Sequence, residues 1–153
     1  MTAEAIYSVE VPEDWTDHYG HMNEGYYVVA ASDASWAFQA LLGIGTDYYD
    51  ETGFAIVTVE SHIRYLDDVQ KGETLTFDSM VLAFDARKIH IGHVMRIGDK
   101  VCGTFECLWL HLNQKEGGLG EMPEAVQERL REHLCEPLPD WAGRQVALKK
   151  KKV

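Results

Sequence analysis

Residues 26–42 are apolar on nearly every side, broken by Ser32, Ser35 and Gln39 along one thin stripe. A helix apolar almost all round has to be buried, so the rest of the chain must wrap it. Asn23 or Glu24 starts this helix and Gly43 supplies its stop. Beyond Gly53 the period changes. Segments 55–65, 74–84, 88–97 and 101–111 read as strands, joined by Asp85-Ala86-Arg87 and by the hairpin signal Gly98-Asp99. In the first of them, Ala55, Val57, Val59, Ser61, Ile63 and Tyr65 are expected on one face, with Glu60, His62 and Arg64 on the other. A short strand at 5–11 precedes the helix, and 121–134 is a modest amphipathic helix. Consecutive strands beside a segregated helix imply an α+β protein whose antiparallel five-stranded sheet curls around one long buried helix.

At 153 residues this is one domain, expected over 1–135, with 136–153 as an extended or disordered tail that ends in the lysine run 149–152. The net charge of −11 argues against a nucleic-acid partner. It is also uneven: residues 1–85 carry sixteen acids against Arg64 and Lys71, whereas residues 86–153 are net basic. No apolar run is long enough for a membrane span, and no signal peptide is expected. Three unspaced cysteines, Cys102, Cys107 and Cys135, suit a reducing cytoplasm. The strand histidines His62, His90, His93 and His111 lack metal-ligand spacing, and no Gly-x-Ser-x-Gly elbow is present.

The segment leading into the helix, Asp17-His18-Tyr19-Gly20-His21-Met22-Asn23-Glu24-Gly25-Tyr26-Tyr27, carries chemistry. Hydrolysis at a carbonyl centre needs a group that attacks the carbonyl or activates water, and a carboxylate can do either. It also needs donors for the developing oxyanion, and a helix N-terminus offers unpaired N–H groups. An Asp ahead of a helix is also a common cap or turn former, but Asp17 lies too far from residue 26 to cap it and Asn23 is the better cap.

This segment resembles the Asp-x-x-Gly-His-x-Asn-x-x-x-Tyr signature of hotdog-fold acyl-CoA thioesterases of the 4-hydroxybenzoyl-CoA type. Val59-Glu60-Ser61-His62-Ile63-Arg64-Tyr65-Leu66 and Asp85-Ala86-Arg87-Lys88-Ile89-His90 are similar to segments of the betainyl-CoA thioesterase branch, linked to carnitine breakdown. The resemblance implies the hotdog fold, a dimer of such units or its doubling to a tetramer, and hydrolysis of a small acyl-CoA to free acid and coenzyme A. It implies coenzyme A thioester as substrate and no further cofactor. The catalytic set is then Asp17, Asn23 and Tyr26, with backbone N–H groups around residues 24–27 as oxyanion donors.

Trp15, His21, Tyr27, Glu60, Arg64, Glu106 and Trp109 are the candidate substrate contacts. His21 is expected to fix the loop by hydrogen bonding. Glu60 and Glu106 sit mid-strand among apolar neighbours, where each either pairs with a base or lines the acyl pocket. The aromatics near Asp17 either fill core and interface or attract a quaternary ammonium by cation–π contact. Arg87 and Lys88, with Arg64 second, are expected to hold coenzyme A phosphates. Competing readings are a lyase or hydratase on the same fold and a non-catalytic acyl-CoA binding module.

Overall fold

The five expected strands form one antiparallel sheet in the order β1-β3-β4-β5-β2. The computed structural model describes residues 4–148. In chain order these are β1 (Glu4–Glu10), a 3-10 turn (Glu13–Trp15), α1 (Glu24–Leu41), α2 (Thr46–Thr52), β2 (Phe54–Tyr65), β3 (Thr74–Phe84), β4 (Lys88–Ile97), β5 (Lys100–Asn113) and α3 (Glu124–Glu132). The lysine run 149–152 lies outside the described residues.

Helix α1 crosses one face of the sheet. Tyr27, Ala30, Ala31, Ala34 and Phe38 are buried, and the small alanines let the helix approach closely. The Phe38 ring reaches Trp109 on β5 and His93 on β4, with centroids 6.4 Å away in each case. The burial is one-sided, which corrects the expectation of a helix enclosed all round. Val28, Val29, Trp36 and Leu41 are exposed, whereas Ser35 and Gln39 of the expected polar stripe are buried. The reason for Ser35 is a partner in the sheet: its hydroxyl lies 2.9 Å from His93 Nε2.

Strand β2 departs from simple alternation. Its pairing with β5 shifts between Thr58↔Trp109 and Glu60↔Leu108, leaving Val59 as a bulge. Upstream of Val59 the even-numbered residues share a face with buried Trp109 and His111; downstream the odd-numbered ones pair with Cys107 and Phe105. Ala55 and Val57 therefore lie on the same face as Glu60, His62 and Arg64, not opposite them. Helix α2 has no counterpart in the sequence reading. Its seven residues, TDYYDET, are polar and too short to show a period, and Gly53 at φ 75° closes it.

Residues 141–146 lie over the sheet face turned away from α1. Trp141 packs over Gly92 so closely that a Cβ there would meet its ring at 2.5 Å. Cys102 and Cys107 are free, buried members of the core.

Candidate active site

Asp17 begins a tight loop. Its Oδ1 accepts the Tyr19 N–H (2.9 Å) and its carbonyl the Gly20 N–H (2.9 Å), while its own N–H donates to the His21 carbonyl (3.0 Å). Gly20 sits at φ 80°, where a side chain would be strained. The loop is clamped on both sides: Met22 N–H donates to Val69 O (2.6 Å) and Asn23 N–H to Trp15 O (2.9 Å). Trp15 in turn stacks on Tyr26 at 5.4 Å, locking the loop to the first helical turn.

Asn23 caps α1, as its type and position indicate. Its Oδ1 accepts the Gly25 N–H (3.1 Å), and its carbonyl accepts the Tyr26 N–H (3.0 Å). These two bonds occupy the Gly25 and Tyr26 amides. Of the expected donor stretch, Tyr27 N–H opens the i→i−4 ladder of the helix, and the Glu24 amide lies outside both the cap and the ladder.

A groove of about 610 Å³ opens beside Asp17, and His21, Glu24 and Tyr27 line it. Its far wall is the end of β2 and the loop after it, Tyr65, Leu66, Asp67 and Asp68. Tyr27 and Tyr65 meet edge to face at 5.0 Å. The Tyr27 hydroxyl donates to the Asp67 carbonyl (3.2 Å), and burial pushes its pKa up to about 12, so it stays neutral. His21 Nε2 lies 3.5 Å from Asp68 Oδ2, which ties the motif loop to this wall. The Gln70 side chain and the neighbouring Asp67, more than His21, hold the Asp68 carboxyl below its usual range. Tyr65 and Leu66 lie in the 59–66 segment that carries the resemblance, but no sequence signal marked Asp67 and Asp68 or set this wall beside the motif, which it joins only through tertiary pairing.

Other expected contacts lie elsewhere. Trp109 is fully buried against Phe38 and is a core residue rather than part of the groove wall. Glu60 and Glu106 line a separate cavity of about 490 Å³, on the far side of the sheet beneath Gly143–Val146. There Glu106 Oε1 lies 3.0 Å from His90 Nε2 and accepts the Gly143 N–H at 2.8 Å. Arg64 belongs to the same sheet face, opposite Thr104.

Arg87 and Lys88 sit where β3 turns into β4, with Arg87 3.8 Å from Glu121 and Lys88 4.0 Å from Asp85. Tyr65 is level with Gly103 and Met95, seven residues along β4 from Lys88. At ~3.4 Å per residue, roughly 24 Å of strand separates these bases from the groove of the same protomer. Among the described residues, no three His, Cys, Asp or Glu side chains come together to hold a metal ion. No single helix there is long and apolar enough to cross a membrane.

The structure is similar to a Staphylococcus aureus protein solved in complex with CoA, with a TM-score of 0.86 at 19% identity over 97% of this chain and 98% of that one. It is similar also to a 1,4-dihydroxy-2-naphthoyl-CoA thioesterase from Synechocystis, with a TM-score of 0.72 at 13% identity over 82% and 94%. These likenesses define the class as the hotdog fold. Residues 11–130 match the profile of the thioesterase-like superfamily, and the chain belongs to that superfamily.

Among its relatives is an L-carnitine dehydrogenase/betainyl-CoA thioesterase from Rhizobium sp, 34% identical over 95% of this chain. The chain spans only 30% of that protein's length. A betainyl-CoA thioesterase from Pseudomonas aeruginosa is 25% identical over 93% of both chains.

Proposed function

We propose that this chain hydrolyses betainyl-CoA to betaine and coenzyme A. The observation that carries the reading is one groove holding both the Asp17 carboxylate and the capped start of α1. In this mechanism the thioester carbonyl lies between them. Asp17 either removes a proton from the attacking water, or attacks the carbonyl carbon to give an acyl–Asp17 anhydride that water then hydrolyses; in both cases the carbon–sulfur bond breaks as the tetrahedral intermediate collapses. The coenzyme A thiolate leaves and takes up a proton. The oxyanion faces the Glu24 amide, the first-turn N–H outside the Asn23 cap, at the positive end of the helix dipole. Trp15, His21 and Asn23 hold this geometry, and coenzyme A enters only as part of the substrate.

The working unit is a homodimer or its doubling to a tetramer, in the cytoplasm. Edge strand β2 and the exposed apolar side of α1 support association. Because Arg87 and Lys88 are distant from the groove of their own protomer, they meet the phosphates of a coenzyme A whose acyl end lies in a second copy's groove and whose phosphates extend beyond it. The names of the relatives support the acyl group.

The test is thiol release from about a dozen acyl-CoAs, including betainyl-CoA and its uncharged isostere 3,3-dimethylbutyryl-CoA. A preference for betainyl-CoA of about tenfold or more in kcat/KM is expected, about 1.4 kcal/mol of discrimination. Equal rates on the two point to a general short-chain thioesterase. Binding without turnover points to a non-catalytic module.

A further inference from the structure

The acyl group of betainyl-CoA is very short, and that limits what can recognise it. Its quaternary nitrogen is two bonds from the carbonyl carbon, a separation of about 2.5 Å. Whatever holds the cation must therefore border the same groove as Asp17. Glu60 and Glu106 fail this requirement, since their cavity is on the other side of the sheet. The Glu106 carboxylate is also committed, through Oε1, to His90 and Gly143. Its buried Oε2 lacks a hydrogen-bond partner among the described residues, but a trimethylammonium group has no N–H to give it.

The groove itself has the needed chemistry. Besides Asp17, it presents the Glu24, Asp67 and Asp68 carboxylates and the Tyr65 ring, which is 45% exposed. The cations set against these acids are Lys100, 3.9 Å from Asp67, and His21, 3.5 Å from Asp68 when protonated. Such an acidic groove repels the anionic phosphates of coenzyme A, which lie outside it, and offers an uncharged acyl chain no matching charge. It favours a substrate whose reacting end is cationic.

Resting on the betainyl-CoA reading, we infer that the trimethylammonium group sits against the Tyr65 ring, facing the Glu24, Asp67 and Asp68 carboxylates. Tyr27 acts as a positioning residue: it braces Tyr65 edge to face, and its hydroxyl holds the Asp67 backbone. The end of β2 and the loop after it thus set acyl specificity, while the Asp17 loop performs the chemistry.

The test compares Tyr65→Leu, Asp68→Asn and Glu106→Gln with the wild type on betainyl-CoA and 3,3-dimethylbutyryl-CoA, with thermal melts to confirm folding. Tyr65→Leu should lower kcat/KM for betainyl-CoA by about tenfold or more, and for the isostere by less than about threefold. Asp68→Asn should shift the preference the same way by a smaller factor, and it serves in place of Tyr65→Leu if that variant does not fold. Glu106→Gln should leave the preference ratio at the wild-type value. Inhibition by tetramethylammonium, measured on whichever acyl-CoA is cleaved fastest, should be competitive in the wild type and weakened in Tyr65→Leu.

The failures separate. A wild type that prefers betainyl-CoA, with Tyr65→Leu and Asp68→Asn retaining that preference, overturns this inference alone. So does a preference that collapses in Glu106→Gln. A wild type with neither the preference nor tetramethylammonium inhibition overturns the substrate reading as well. Inhibition without the preference retains the cation site and rejects betainyl-CoA as the substrate.

Discussion

Ser35 on α1 and His93 on β4 are joined in the core, hydroxyl to Nε2, at 2.9 Å. The Ser79 hydroxyl lies 2.6 Å from the other ring nitrogen, so both positions of the imidazole are satisfied. This polar link fixes the helix that carries the site to the middle of the sheet. Burial lowers the His93 pKa to about 3, which keeps the ring neutral.

That depression has a consequence for stability. An unfolded imidazole titrates near 6.5, so between that pH and about 3 the unfolded chain binds a proton that the native one refuses. Stability should therefore fall as the pH drops through this window, by ~1.4 kcal/mol per pH unit from this group, and be insensitive to it above the window. Urea titrations from pH 7 to pH 5 check the slope. Replacing His93 by Gln should lower stability at pH 7 and flatten the slope; an unchanged slope would show that His93 is not its source.

The edge strand β2 leads to the second expectation. Val59 bulges from it and is 53% exposed, and Trp36 on the open side of α1 is 56% exposed. Placing a charge on the edge should discourage pairing there. Light scattering at micromolar concentration should give a dimer or tetramer for the wild type, and Val59→Lys should shift the mass toward the monomer with loss of turnover. A wild type that is strictly monomeric yet fully active overturns the oligomer proposal.

Arg87 should act on binding rather than chemistry. Remote contacts to phosphates stabilise ground and transition states alike, so Arg87→Ala should raise KM more than it lowers kcat. The exposed pair with Glu121 contributes little to stability, so the fold should be retained. An unchanged KM would place the nucleotide elsewhere.

Much of this architecture is legible in the sequence because it rests on local patterns. The apolar run of α1, its Asn23 cap, the hairpin glycine and the motif loop all declare themselves within a few residues. The features that stayed hidden depend on pairing across the sheet. The Val59 bulge is invisible until β2 is set against β5, and it reverses which of its neighbours face the helix. Ser35 reads as a solvent-facing stripe until His93 lies opposite. Tyr65, Asp67 and Asp68 are some fifty residues from Asp17 in sequence, with no motif linking them, yet they complete its groove. For Glu106 the sequence leaves pairing with a base and lining a pocket both open, and the structure shows the pairing, with His90 on the neighbouring strand and the Gly143 N–H.

The central claim is that Asp17 performs the chemistry, and Asp17→Asn tests it most directly. The change is isosteric, and the amide oxygen can still accept the Tyr19 N–H that shapes the loop. The carboxylate is gone, however, as both nucleophile and base. Thiol release from the best substrate should show kcat reduced by about 10²–10⁴-fold, with an unchanged melting profile. A variant that folds normally and keeps more than about a tenth of the wild-type kcat would contradict the assignment of Asp17 to the chemistry.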